Sequence, residues 1–267
     1  MATTAQTDPA QITGQVLFYS QPEPLNSETH AKIGLRRLDK PFAFASKSHV
    51  VPLTVTEFPV AGLSYPIIFA GEKHQPLAVM GINQEDNLFI QDDGAFVVGA
   101  YIPAYIRRYP FVLANDAQNQ QLVVCIDRGA SMLGELPDLA FFDAKGQPTE
   151  YTQGCIQFCN DFEAEARRTE SFVDLIKSLD LFEVRHAQFT PVNPDGTPGE
   201  PQQIAEYFAV SEEKLRALPA DKIKELFDNG ALAQIYAHLT SLMGWDRLIA
   251  LAIQRQQQNQ PAAANLN

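Results

Sequence analysis

Three cysteines in 267 residues are too few, and odd in number, to staple a fold, so a core must hold the chain together. Reduced thiols in a cytoplasm are the simplest account of them. Nowhere do about 18 apolar residues follow one another, which excludes a membrane-spanning helix. Cations are also scarce, with 20 Lys and Arg against 32 Asp and Glu and a net charge of -12. The basic residues are scattered as singles and pairs, so the chain repels phosphate backbones and anionic lipid, and nucleic acid is not expected as a partner. The first residues, Met1-Ala2-Thr3-Thr4-Ala5-Gln6, lack a basic stretch followed by an apolar run. The expectation is therefore a chain without a secretory leader, located in the cytoplasm.

Motifs with a known mechanism are missing too. There is no Gly-x-Gly-x-x-Gly, Walker loop, Gly-x-Ser-x-Gly or His-Glu-x-x-His. The five histidines are followed two places on by Lys32, Val51, Pro76, Gln188 and Thr240, none of them an acid. That speaks against the two-histidine, one-carboxylate triad of iron oxygenases, and no cofactor or metal is expected.

What is present is the composition of a folded protein, 45% hydrophobic and 10% aromatic. Short apolar runs dominate from Val16 to about Val124. Val50–Leu53, Pro66–Ala70, Pro76–Gly81 and Gln121–Ile126 read as strands. Asn87–Gln91 and Ala95–Gly99 flank Asp92-Asp93-Gly94, a hairpin signal. Tyr101 to Pro110 reads as a helix of about two turns, opened by Pro103 and ended by Pro110. Phe141 to Gly146 looks like a strand end and turn.

From Tyr151 to Leu179 apolar residues recur at three- and four-residue spacing, which predicts one amphipathic helix of about seven to eight turns. Beyond it, Leu181–Phe189 and Gln203–Val210 read as strands joined by Pro-Asp-Gly-Thr-Pro-Gly. A helical cluster follows, with starts at Ser211 and Pro219, a stop at Asn229-Gly230, and further helices from Ala231 and Trp245. Strands early and helices late make the fold class α+β: a mostly antiparallel N-terminal β region, one long central helix and a C-terminal helical cluster. One domain is expected over 15–254, between disordered tails at 1–14 and 255–267.

Cys155 and Cys159 share a helix face and could offer half a zinc site, completed by Cys125 and a histidine, or pack as small hydrophobes. Tyr101, Tyr105 and Tyr109, with Arg107 and Arg108, form the main candidate for recognition. Tyrosines at four-residue spacing can wall a pocket, and arginine forks a carboxylate or phosphate. Tyr65 joins them if the strands pair as read. The alternative is that the tyrosines plug a core edge and the arginines offset an acidic surface.

Several runs resemble the bacterial SapC family: Phe18-Tyr19, Pro24-Leu25-Asn26, His49–Leu53, Glu57-Phe58-Pro59, Tyr65–Phe69, Tyr101–Phe111, Cys125-Ile126-Asp127 and Ile235–Leu239. The likeness runs from about residue 15 to 252. The family name implies a surface-layer association. The resemblance also implies a genomic setting beside TonB-dependent receptors, cupin-like proteins and relatives of flavin-dependent halogenases, and carries over no catalytic residues. Two functions are expected: an accessory protein binding a protein or peptide partner, or a homodimer, suggested by the missing catalytic motifs and the apolar C-terminal helices and linked by the resemblance to TonB-dependent uptake loci; or a binder or enzyme for a small carboxylate ligand, through the tyrosine–arginine segment.

Overall fold

The computed structural model describes residues 17–116, 121–190, 197 and 199–259. The tail expected over 1–14 lies outside them, as do residues 194–196 and 198 of the second expected turn. The described residues begin with β1 (Pro22–Pro24), β2 (Ile33–Leu35) and β3 (Val50–Pro52), then the one-turn helix α1 (Phe58–Ala61), β4 (Ile67–Ala70) and β5 (Gln75–Val79). Next come α2 (Ala104–Arg107), β6 (Phe111–Asp116), β7 (Gln121–Asp127), β8 (Leu133–Glu135), β9 (Leu139–Ala140) and the long helix α3 (Glu150–Ser178). The hairpin strands β10 (Phe182–Phe189) and β11 (Gln202–Val210) lead into α4 (Glu212–Arg216), α5 (Ala220–Asp228), α6 (Ala231–Ser241) and α7 (Trp245–Asn259). The fold is α+β, and every named strand pair is antiparallel.

Contacts divide the chain into two compact units, each built from two stretches of sequence: 1–41 with 106–164, and 42–105 with 165–267. The first carries two three-stranded sheets, ordered β1-β7-β6 and β8-β2-β9. Period-two alternation sorts their side chains. Phe111 pairs with Ile126, and both enter a cluster with Ile33, Phe141, Phe142 and Cys159. Their neighbours Val112 and Cys125 are also paired, and join Tyr19 in a separate cluster. Gly34 lets β9 pass close to β2, because a side chain there would strike the Leu139 carbonyl.

At the end of β7, Asp127 is wholly buried and saturated with donors. Its Oδ1 accepts from the Gln21 amide at 2.7 Å and from the Ser20 and Gly129 amides at 3.2 Å, and its Oδ2 accepts from the Tyr109 hydroxyl at 2.9 Å. A buried carboxylate is tolerable when its lone pairs are satisfied in this way, and this one ties Ser20 and Gln21 to the end of β7.

The second unit holds a five-stranded sheet, β10-β11-β4-β5-β3. Phe58 of α1 packs edge-on against Phe69 of β4 and Phe172 of α3. His238 of α6 is fully buried: the Val210 amide donates to its Nε2 at 3.1 Å, and its Nδ1 donates to the Ile67 carbonyl at 2.9 Å. Burial pushes its pKa down to about 3, so the ring is neutral and joins α6 to two strands. Gly230, at φ 79°, follows α5 in the left-handed conformation that ends helices, as the Asn-Gly pair predicts.

Two local expectations are corrected. The hairpin expected over 87–99 shrinks to one bridge, Ile90 to Phe96. The buried Asn87 accepts from the Phe89 amide and donates to the Ala45 carbonyl, holding that run in a turn. The last helix runs to Asn259, so 255–259 of the expected tail are helical. Arg255 there donates to the carbonyls of Asn87 at 3.0 Å, Leu88 at 3.4 Å and Ile90 at 3.0 Å.

Candidate functional site

The segment expected to carry recognition is built differently from a two-turn helix. Only Ala104–Arg107 is helical, so Tyr101, Tyr105 and Tyr109 do not share a helical face. The reason lies in long-range partners. Tyr101 receives the Tyr65 hydroxyl on its carbonyl and donates its amide to Ser64 Oγ at 3.1 Å, which fixes its backbone outside any helix. Pro103 follows with no N–H to give, and Pro110 disfavours helix at Tyr109.

Glu57 completes the arrangement. It is 5% exposed, and its carboxylate takes the Ala104 amide at 2.7 Å and the Tyr101 hydroxyl at 3.0 Å on one oxygen. The other oxygen takes the Thr54 amide at 2.8 Å and the Thr54 hydroxyl at 2.9 Å. Glu57 is thus a distant cap for α2. Tyr65 is fully buried edge-on against Phe89, and burial, then Tyr101, drives its hydroxyl pKa well above the ordinary tyrosine range. Tyr65, Tyr101 and the buried Tyr105 all fall in the second unit, where the first two position the backbone.

Arg107 and Arg108 fall in the first unit, and there they reach a cavity. Its volume is about 530 Å³, and its walls come from two segments. One is Arg107 to Tyr109 with Phe111; the other is the first two turns of α3, through Glu150, Tyr151, Gly154, Cys155 and Phe158. These helix positions recur at four-residue intervals, so they form one face. The Arg107 guanidinium carbon lies 5.1 Å from the Phe158 ring centre, and that of Arg108 lies 4.4 Å from the Phe162 ring and 5.8 Å from the Tyr19 ring. Such stacking holds a cation over an aromatic face while leaving its in-plane donors directed elsewhere. Tyr109 is pinned from behind by Asp127 and lies edge-on to Tyr19 at 5.2 Å.

The chemistry this wall offers is an aromatic surface with two cations and one carboxylate, Glu150. A volume of this size is in the range of small-ligand pockets, which pair apolar walls with a few placed polar groups. The thiols add no nucleophile. Burial pushes Cys125 and Cys159 up to about 11 and raises Cys155, so all three are protonated near neutrality. Cys125 and Cys159 sit within apolar clusters, as the small-hydrophobe reading has it. Among the described residues no three His, Cys, Asp or Glu side chains gather as a metal site would require.

Of the tyrosines and arginines singled out from the sequence, the structure brings Arg107, Arg108 and Tyr109 to this cavity, while Tyr65, Tyr101 and Tyr105 do not line it. Sequence reasoning missed Phe111, Glu150, Tyr151, Gly154, Cys155 and Phe158 as lining. One signal was available: a glycine inside an amphipathic helix needs a reason.

The chain is thus an antiparallel α+β fold in which two arginines over aromatic rings border one cavity. The profile of the SapC family matches residues 25–248, most of the length, and the chain belongs to the SapC family. No curated protein and no solved structure matches it. No described helix is long and apolar enough to cross a membrane.

Proposed function

We propose that this SapC-family protein is a cytoplasmic binding protein whose first unit takes a small carboxylate-bearing molecule, with Arg107 as its anchor. The observation that carries this reading is the cavity of about 530 Å³ in which Arg107 and Arg108 stand beside Tyr151 and Phe158. A guanidinium gives a carboxylate two parallel hydrogen bonds, and the aromatic walls supply apolar contact for the remainder of the ligand. Thermal-shift screening of amino acids and 2-oxo acids tests it. Binding at about 100 times Kd adds on the order of 2.7 kcal/mol of stability, a readily measured rise in Tm. The rise is expected for wild type and lost in Arg107→Ala, whose own Tm stays close to wild type. No shift with any carboxylate would remove the support for this reading.

A second reading, partnership with a protein or peptide encoded at TonB-dependent uptake loci, or with a second copy of the chain, is favoured by a separate observation. In the second unit Leu63 is 77% exposed and Met243 is 80% exposed, with Val60 and Tyr236 also exposed. Val60 lies on α1 and Leu63 in the turn after it, Tyr236 lies on α6 and Met243 in the turn after it, and the two helices touch where Gly62 meets Ala237 and Ser241. Large apolar side chains left exposed on touching helices are the kind of surface that marks interaction sites. Light scattering after size exclusion, alone and with co-encoded neighbours, should give a complex that Leu63→Asp with Met243→Asp dissolves. A strict monomer engaging none of them would end it.

A further inference from the structure

Gly154 stands on the face of α3 that lines the cavity, between Glu150 one turn before and Phe158 one turn after. Glycine is the poorest helix former after proline, so a glycine inside a helix usually makes room for something that a side chain would strike. Gly154 is exposed, and among the described residues none needs the room: a methyl group placed on it would find no neighbour within 4 Å. Gly34 shows the contrast, since a side chain there would strike a neighbouring strand. The space Gly154 leaves is bordered on the same helix by Tyr151 and Phe158, and Arg107 already lies over the Phe158 ring.

We propose that Gly154 is the specificity-determining residue of the cavity and that the ligand is a flat aromatic carboxylate, its ring lying over Gly154 between Tyr151 and Phe158 and its carboxylate on Arg107. This rests on the carboxylate-binding reading above and adds the shape of the molecule. A flat ring can approach a helix backbone closely only where no side chain projects. Aromatic walls favour a ring over an aliphatic chain of equal length through offset or edge contacts. The same chemistry is presented by a free aromatic acid and by the C-terminal residue of a peptide ending in phenylalanine.

Calorimetric titration of the full chain with 3-phenylpropionate, hexanoate and an N-acetylated tripeptide ending in Phe, on wild type, Gly154→Ala and Gly154→Leu, tests it. Wild type is expected to bind 3-phenylpropionate at least about tenfold tighter than hexanoate. Gly154→Ala should lose affinity for the aromatic acid several-fold and Gly154→Leu at least about tenfold, while the Tm of Gly154→Ala rises by roughly 2–4 °C through better helix propensity. Opposite movement of affinity and Tm separates a cleared ligand site from a structural glycine, whose replacement lowers both. Tighter binding of the tripeptide than of the free acid assigns the site to peptide termini; the reverse assigns it to free acids. Equal binding of hexanoate and 3-phenylpropionate, with Gly154→Leu unchanged, overturns this proposal and leaves the carboxylate reading standing. No binding of any of the three by wild type overturns this proposal, and no shift with any carboxylate of the thermal screen overturns the reading beneath it.

Discussion

The two halves of α3 carry the same apolar periodicity and meet different fates. In the second unit Phe172, Val173 and Ile176 are buried, with Phe172 against Phe58. In the first unit Tyr151, Cys155 and Phe158 stay half-buried along the wall of a cavity. A stripe at helical spacing therefore states that a face is apolar without stating what covers it. In one half the protein covers its own stripe; in the other it covers Thr152 and Cys159 and leaves Tyr151, Cys155 and Phe158 half open.

The largest effect expected from this contrast is on stability. Phe172→Ala should cost about 3–5 kcal/mol in urea denaturation, as for aromatic truncation in a closed core. Equal tolerance of Phe172→Ala and Phe158→Ala would erase the distinction between the halves. Next comes acid. His238 in the closed unit has a folded pKa of about 3 against an ordinary 6.5, so it favours the folded state above pH 6.5 and loses that contribution as pH falls toward 3. The sign follows because the unfolded chain binds the proton more readily, and the slope is up to about 1.4 kcal/mol per pH unit. Urea midpoints at stepped pH would show it, and a His238→Gln variant should flatten the curve through this window. The smallest effect is that of Phe158→Ala, about 1 kcal/mol or less on stability, because the ring is already partly in solvent. Its consequence should fall on ligand affinity instead.

Much of the fold was legible because helices announce themselves locally. The period of α3, Pro219 before α5 and Asn229-Gly230 after it can all be read without knowing any distant partner. The errors came where a distant partner decides. Nothing near Tyr101 in sequence reveals that Glu57 and Tyr65 will hold it out of a helix. Nothing about Asn87 shows that its amide will tie down Ala45 and Phe89. Arg107 and Arg108 are singled out by residue type alone, but the opposite wall of the cavity they line lies more than 40 positions downstream at Glu150. Gly154 was readable as an anomaly; the space above it was not.

The contacts of Arg255 bear on how the chain can be shortened or fused. One guanidinium near the end of the last helix serves three backbone oxygens in the 87–90 turn. A version cut at residue 254 would discard only the remnant of a Gln-rich segment by length, yet would leave those three oxygens without their donor and loosen a turn more than 160 positions away. Any shortened form meant to stay folded should keep the helix through Arg255, with appended tags placed after it.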